Sequence, residues 1–352
     1  MIRSALLLCA GILVATALAC APVVAPPASP PPFTVNTVNC SSPVAFAASV
    51  QTLSANFVPN PLAPPGNGPP PGGSIANPSI LTDLAAAFAL APPSFLNELC
   101  GNTGNPPVSL FVQDCPPAPV SCTVSSWGYR QRATGARFIA LSAGLWQGTA
   151  PALPYPVFET AVIDNLVGVS GLASYVSASN DTPEMTVLAV MAHELGHIMW
   201  WNKGLMSRAC PNPPPGVNRI FWQIAWQNPV GPPPFHNFGL QFPADQRLRG
   251  PSKDEVRARA GNPAVARDLL RQIYGGDWAS LLANVAPDED LIETYKLAVL
   301  TTARNVGKGP LTSLVVNIPG IGSVDVIREL FLSGDPNKWL SKKRSWVNNC
   351  MA

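Results

Sequence analysis

One segment, Asp181 to Trp201, restricts the fold of this chain because it has the length and composition of a buried helix. Its start, Asp181-Thr182-Pro183-Glu184, is a capping box with an early proline, which is typical of a helix N-terminus. The residues that follow are almost all apolar. An apolar run of this length predicts a helix in the protein core. Two histidines, His193 and His197, interrupt the run.

The interruption, His193-Glu194-Leu195-Gly196-His197, combines two metal ligands with an acid. Residues four apart on an α-helix project from one face, so both imidazoles can bind one ion. Glu194 lies at the edge of that face, where its carboxylate can take a proton from a water held by the metal. The motif therefore predicts a Zn²⁺ site with Glu194 as the general base. Two incidental core histidines are the alternative, but the chain has only three histidines and two have this spacing.

A catalytic zinc ion needs a third protein ligand. The best candidates are two acids four residues apart, Glu289 and Glu293, which follow Pro287 and so belong to the first turns of a second helix. We expect Glu289 to bind the metal. Glu293 is expected to orient a ligand histidine, or to replace Glu289 as the ligand. An acidic first turn that only complements the helix dipole is the alternative for Glu289.

The two helices together resemble those of gluzincins, the zinc peptidases typified by thermolysin. In that family a Glu-x-x-x-Asp helix supplies one acid to zinc, and its second acid orients a ligand histidine. Glu289-x-x-x-Glu293 is similar, with glutamate in place of the aspartate, and the run to Tyr295 also resembles the corresponding helix of anthrax lethal factor. The resemblance implies an α+β, zincin-like metallopeptidase domain that hydrolyses a peptide or protein substrate. It also implies an edge strand that pairs with the substrate, for which Arg137 to Leu141 is the candidate.

Three further residues are candidates for donating a hydrogen bond to the transition state: His236, Tyr274 and Tyr295. A lone loop histidine more often faces solvent, which is the alternative for His236. The rival function is a non-catalytic zincin-like binding or assembly factor of the cell envelope, with a structural zinc whose fourth ligand is a residue such as His236. A zinc hydrolase with a non-peptide substrate is a third hypothesis, but no sugar- or nucleotide-binding signature supports it.

The N-terminus predicts export. Met1-Ile2-Arg3 precedes an apolar stretch, and residues 1–19 fit a secretory signal better than a membrane span because Pro22 follows. Cys20 is a candidate for lipid attachment, which would anchor the chain to a membrane as a lipoprotein; a freely secreted or periplasmic protein is the alternative. Without Cys9 and Cys20, six cysteines remain, and in an exported chain these most simply form three disulfides.

Proline and glycine are frequent in residues 20–75, which predicts a weakly structured tether whose apolar part, Val44 to Leu53, packs onto the domain. The metallopeptidase domain is expected to span 76–352 and to contain a long loop rich in proline and tryptophan at 202–251. With 12% charged residues and a net charge of +2, the chain has no nucleic-acid footprint. Further helices are predicted at Ser79–Leu90, Ser252–Arg259, Pro263–Tyr274 and Pro287–Ala303.

Overall fold

Helices and two small sheets make up the fold, as a computed structural model shows, and this confirms the predicted α+β class. The structure describes residues 36–64, 67–117, 122–159, 161, 176–178, 182–202, 208–226, 271, 274–280, 282–284, 287–304, 311–318, 322–332 and 334–351. Several predictions lie outside the described residues: the signal segment 1–19, Cys20, His236, the helix Ser252–Arg259 and most of the helix Pro263–Tyr274.

The larger sheet has four strands in the order β1-β2-β4-β3. Strands β1, β2 and β4 are parallel, whereas β3 runs antiparallel to β4. All residues of β4 are buried because β4 is paired on both sides. The prediction that Arg137–Leu141 is an edge strand is therefore wrong, and β3 is the edge strand beside it. The strands are β1 (Gln51–Leu53), β2 (Val108–Gln113), β3 (Trp127–Arg130) and β4 (Arg137–Ser142).

Five of the six helices named below begin at a proline, and the exception is Trp339–Cys350. Asn77 accepts a hydrogen bond from the backbone N–H of Ser79 at the start of the second helix, which satisfies one of the amides that lack a partner in a first turn. The predicted helices at Ser79–Leu90 and Pro287–Ala303 are present with slightly different ends. The α-helices whose bounds lie within the described residues are α1 (Pro43–Ser49), α2 (Pro78–Leu90), α3 (Pro93–Leu99), α4 (Pro183–Asn202), α5 (Pro287–Thr301) and α6 (Trp339–Cys350).

Helix α4 occupies the centre of the core. It contacts β3 and β4 of the larger sheet, α2 and, most extensively, α5, which in turn packs against α6. Its apolar residues from Val187 to Met199 are almost completely buried. The apolar run that surrounds the two histidines therefore forms a core helix, as predicted.

The predicted tether is partly folded onto this core. Phe46 of α1 is fully buried and stacks on Phe88 of α2 at a ring-centroid distance of 4.6 Å. Strand β1 pairs with β2, and a disulfide joins Cys40 to Cys100. The prediction that the apolar part, Val44–Leu53, packs onto the domain is thus confirmed, since Phe46, Ala47, Val50 and Leu53 are buried, although Val44 is exposed.

The loop expected at 202–251 also contributes to the core. Its described part, 208–226, contains a short 3₁₀ helix, Phe221–Ile224, and the indole N–H of Trp226 donates a 3.0 Å hydrogen bond to Asp290 of α5. These aromatic side chains are buried. They therefore cover the core of the protein and help to hold α5 in place.

A second, antiparallel sheet lies later in the chain, in the order β5-β6-β7. Its strands are β5 (Val176–Ala178), β6 (Leu314–Ile318) and β7 (Gly322–Asp325), followed by a π-helix at Val326–Leu332. Two more disulfides are formed, Cys115–Cys122 and Cys210–Cys350. Three disulfides indicate an oxidising compartment. Within the described part of the chain, no helix combines the length and hydropathy that a membrane span requires.

Candidate metal centre

The two histidines of α4 face α5 across a close helix–helix contact. Gly196, between them on the helix, makes this contact short: a Cβ atom built there would lie 3.1 Å from both Cγ atoms of Ile292. Any side chain at position 196 would therefore require Ile292 to move by a few tenths of an ångström. The glycine of the motif brings the acids of α5 within reach of the histidines.

Three side chains converge between the helices. The Nε2 atoms of His193 and His197 lie 3.2 Å apart. The carboxylate of Glu289 faces both rings, with Oε2 at 3.6 Å from His193 Nε2 and Oε1 at 3.6 Å from His197 Nε2. One ligand atom from each residue falls within 4.8 Å of the other two. This His-His-Glu group can hold a metal ion.

The donor atoms also have the chemistry that a metal requires. Glu289 Oε2 is buried and has no hydrogen-bond partner among the residues that the structure describes, although buried carboxylate oxygens are normally paired. Because His193 uses Nδ1 in a hydrogen bond with Glu293, the neutral ring presents the Nε2 lone pair to the space shared with His197 and Glu289. An unpaired carboxylate oxygen beside two imidazole nitrogens is a donor set that fits zinc and other borderline divalent ions.

Glu293 lies behind His193 and is nearly inaccessible, with 1% of its side chain exposed. Its Oε1 is 2.7 Å from His193 Nδ1. Its Oε2 accepts a hydrogen bond from Ser280 Oγ and forms a 2.8 Å ion pair with Lys296 Nζ. The two acids of α5 therefore contact different edges of the histidines: Glu289 faces the two Nε2 atoms, and Glu293 contacts Nδ1 of one ring.

Glu194 is buried beside the edge strand. Its carbonyl oxygen would lie 2.3 Å from a Cβ atom at Gly128 of β3, so only glycine allows α4 to approach the strand this closely. Burial raises the pKa of Glu194 to about 7, although the charge of His193 and a backbone hydrogen bond from Gly128 act in the opposite direction. A carboxylate with a pKa near neutrality suits proton transfer at neutral pH.

The electrostatics of the site reflect its concentration of acids. Burial lowers the pKa of His193, but the hydrogen bond with Glu293 and the charges of Glu194 and Glu289 outweigh it and raise that pKa to about 9. Burial and the His193 charge lower the pKa of His197 to about 3. For Glu289, burial raises the pKa to about 8. A divalent cation favours ionised carboxylates and neutral imidazoles, so its binding here would release the protons that His193 and Glu289 hold in the metal-free site.

The other sequence candidates occupy different places. Tyr295 lines a cleft on another side of α5 together with Glu98 and Met199. Tyr274 lines a small cavity with Glu159 and Lys296. Neither tyrosine is among the residues that form the His-His-Glu group.

Sequence reasoning missed the residues that support Glu293. Lys296 lies three residues after Glu293 in an otherwise apolar run, and a buried charge at that spacing was a usable signal. Ser280 belongs to another segment, and no local pattern connects it to Glu293. Such long-range partners become evident only from the fold.

Comparisons with known proteins provide no relative from which to infer a function. No protein-family model matches the chain, and no curated protein or solved structure is significantly similar to it. Function must therefore be inferred from the geometry and chemistry of the site itself.

Proposed function

We propose that this protein is a zinc-dependent metallopeptidase with a zincin-like fold. The observation that supports this most strongly is the convergence of His193, His197 and Glu289, with Glu194 next to the first ligand. Two imidazoles and one carboxylate are the ligands of a catalytic zinc site, in which the fourth position remains for water or substrate. Structural zinc sites usually have four protein ligands, mostly cysteine and histidine.

When bound, zinc supplies a Lewis acid that polarises the scissile carbonyl and makes water more acidic. The protein supplies the proton transfers. Glu194, which is buried next to the first ligand, takes the proton from the attacking water and then delivers it to the leaving amine. Glu293 accepts the Nδ1 hydrogen of His193, so this ring keeps one tautomer and one orientation during the reaction.

The substrate is proposed to bind along β3. Among the described strands, β3 pairs only with β4, so no described strand covers its other edge, although the Gly128 N–H already bonds to Glu194. The remaining main-chain groups of this edge can bind an extended peptide. Gly128 brings this strand against α4 at Glu194. A peptide added to β3 would therefore pass close to the general base. This proposal replaces β4, which the sequence favoured and which is central in the sheet.

A protease assay combined with metal analysis tests the proposal. We expect the purified mature protein with zinc to cleave an unfolded substrate such as labelled casein. Glu194→Gln should bind the same amount of zinc without cleavage, because it removes the base but no ligand. Full activity of Glu194→Gln would contradict the mechanism. Stoichiometric zinc without cleavage of any peptide in a broad library would favour the rival, a non-catalytic envelope factor with a structural metal.

Export to an oxidising compartment is also proposed. The three disulfides support it, since such bonds are rare in reducing compartments. Whether the mature chain begins at Cys20 with a lipid or is freely secreted is decided by the mass of its N-terminal peptide. An acylated cysteine would show membrane attachment, and an unmodified N-terminus would show secretion without an anchor.

A further inference from the structure

A row of buried charged and polar side chains extends away from the metal centre, behind His193. Lys296 Nζ lies 2.8 Å from Glu293 Oε2 and 2.7 Å from Glu159 Oε1. The hydroxyl of Tyr155 donates a 2.7 Å hydrogen bond to the same oxygen of Glu159. Lys296 therefore joins two carboxylates, one of which contacts a proposed metal ligand.

Stability alone does not explain this arrangement. The side chains of Lys296, Glu159 and Glu293 are 5%, 7% and 1% exposed, and removing three charges from water costs much of what their attraction returns. The residues that follow Lys296 on α5, from Leu297 to Leu300, are apolar. An apolar residue at position 296 would leave Glu159 and Glu293 without their shared counter-charge, so the role of the lysine lies in its contacts with these two acids.

The contacts of Glu293 show what Lys296 does. One carboxylate oxygen contacts His193 Nδ1, and the other is held by Ser280 and Lys296. With both oxygens engaged, the carboxylate cannot rotate without losing a partner. Lys296 is held in turn by Glu159, which lies 137 residues away in the chain.

From this geometry we infer that Lys296 is a positioning residue of the metal centre. By tying Glu293 to Glu159, it fixes the acceptor of His193 and so aims the Nε2 atom of that ring at the metal. It also keeps Glu293 from turning to the metal, which leaves Glu289 as the carboxylate ligand. This inference rests on the metal site of the proposed function and adds Lys296 and Glu159 to it.

Lys296→Met tests the inference because it keeps the length of the side chain and removes the ammonium. Glu293 and Glu159 then lose their shared counter-charge, and Glu293 loses one of its three partners. We expect zinc affinity, measured by competition with a chromophoric chelator, to fall measurably, by up to the about 10- to 100-fold that is typical of losing a direct partner of a ligand histidine.

The matched control is Lys343→Met. Lys343 is also fully buried and forms a 2.9 Å ion pair with an acid of α5, Asp290, which has no contact with His193 among those observed. We expect this variant to lose stability but to bind zinc with nearly wild-type affinity. Equal losses of zinc affinity in the two variants, or none in Lys296→Met, would overturn the inference.

A second measurement requires neither metal nor Lys296→Met, so it tests the inference even if that variant does not fold. In the metal-free protein, the Nδ1–H proton of His193 reports its hydrogen bond with Glu293 by NMR. Glu159→Gln keeps both Lys296 and Glu293 and changes only the distant end of the row. We expect its His193 resonance to shift, whereas Lys343→Met should leave it in place.

An unchanged resonance in Glu159→Gln would overturn the inference even if the protein is a peptidase. Conversely, if the wild-type protein binds no zinc but the His193 resonance still shifts in Glu159→Gln, the proposed function is refuted. The positioning of His193 by this row is then still supported. The two failures are therefore distinguishable.

Discussion

His193 Nδ1 and Glu293 Oε1 lie 2.7 Å apart, so an acid of α5 forms a hydrogen bond with the ring nitrogen of an α4 histidine that does not face the proposed metal site. The other acid of α5, Glu289, faces the Nε2 atom of the same histidine. Both contacts depend on the four-residue spacing that the histidines and the acids share, which places each pair on one helix face. The different positions of the two acids predict different effects of their removal.

Glu289→Ala should abolish stoichiometric zinc binding, whereas Glu293→Gln should weaken it only about 10- to 100-fold. The reason is that the first variant removes a ligand and the second only the acceptor of a ligand's N–H. Zinc titration of both purified variants by calorimetry checks this. A greater loss in Glu293→Gln than in Glu289→Ala would reverse the assignment of the two acids.

Gly128→Ala should destabilise the protein by about 1–3 kcal/mol, the usual cost of overpacking. Its Cβ would lie 2.3 Å from the carbonyl oxygen of Glu194, so β3 and α4 must separate. Chemical denaturation measures the change. Gly73→Ala is the control, because the nearest atom to its Cβ, Thr52 Oγ1, is 3.5 Å away. Equal stability of the two variants would contradict the tight contact at Gly128.

Gly196→Ala should reduce zinc affinity, because the added methyl group pushes Ile292 and with it Glu289 away from the histidines. Adding Ile292→Ala removes both Cγ atoms that the new methyl group meets. The double variant should therefore bind zinc more tightly than Gly196→Ala, although it is less stable owing to the lost buried volume. Zinc competition assays measure both affinities. If the double variant binds zinc more weakly than Gly196→Ala, crowding against Ile292 is not the cause of the lost affinity.

The disulfides should differ in their effect on stability. Replacing Cys210 and Cys350 by serine should lower the free energy of unfolding by about 5 kcal/mol, and replacing Cys115 and Cys122 by about 2.5 kcal/mol, if loop entropy dominates. The first pair is separated by 140 residues and the second by 7. Urea denaturation of both double variants provides the test. A larger loss for the short loop would show that strain or unfolded-state structure dominates.

Local patterns in the sequence predicted the elements that carry the site. Helix α4 was recognisable because its cap, its apolar run and the histidine spacing are all encoded within about twenty residues, the length of a long helix. The acids of α5 were recognisable for the same reason. Gly196 and Gly128 carried no such signal, since their roles depend on Ile292 and Glu194, which belong to elements packed against them.

Features that depend on distant contacts were not predictable. Strand β4 was taken for an edge strand because its sequence does not show that β3 would pair beside it. The apolar side chains around Phe46 predict that this segment packs onto the domain, but not that Phe88 of α2 is its partner, because that residue lies in a distant part of the chain. The link between Glu159 and Lys296 spans 137 residues and has no local signature.

The central claim is that His193, His197 and Glu289 hold one zinc ion while Glu293 orients a ligand histidine. Crystals grown with zinc, with anomalous diffraction collected on both sides of the zinc absorption edge, test it directly. The predicted result is one anomalous peak about 2.0–2.2 Å from a Glu289 oxygen and from both Nε2 atoms, with Glu293 still on His193 Nδ1. A peak bound by Glu293 instead of Glu289, or no peak between the two histidines, would contradict it.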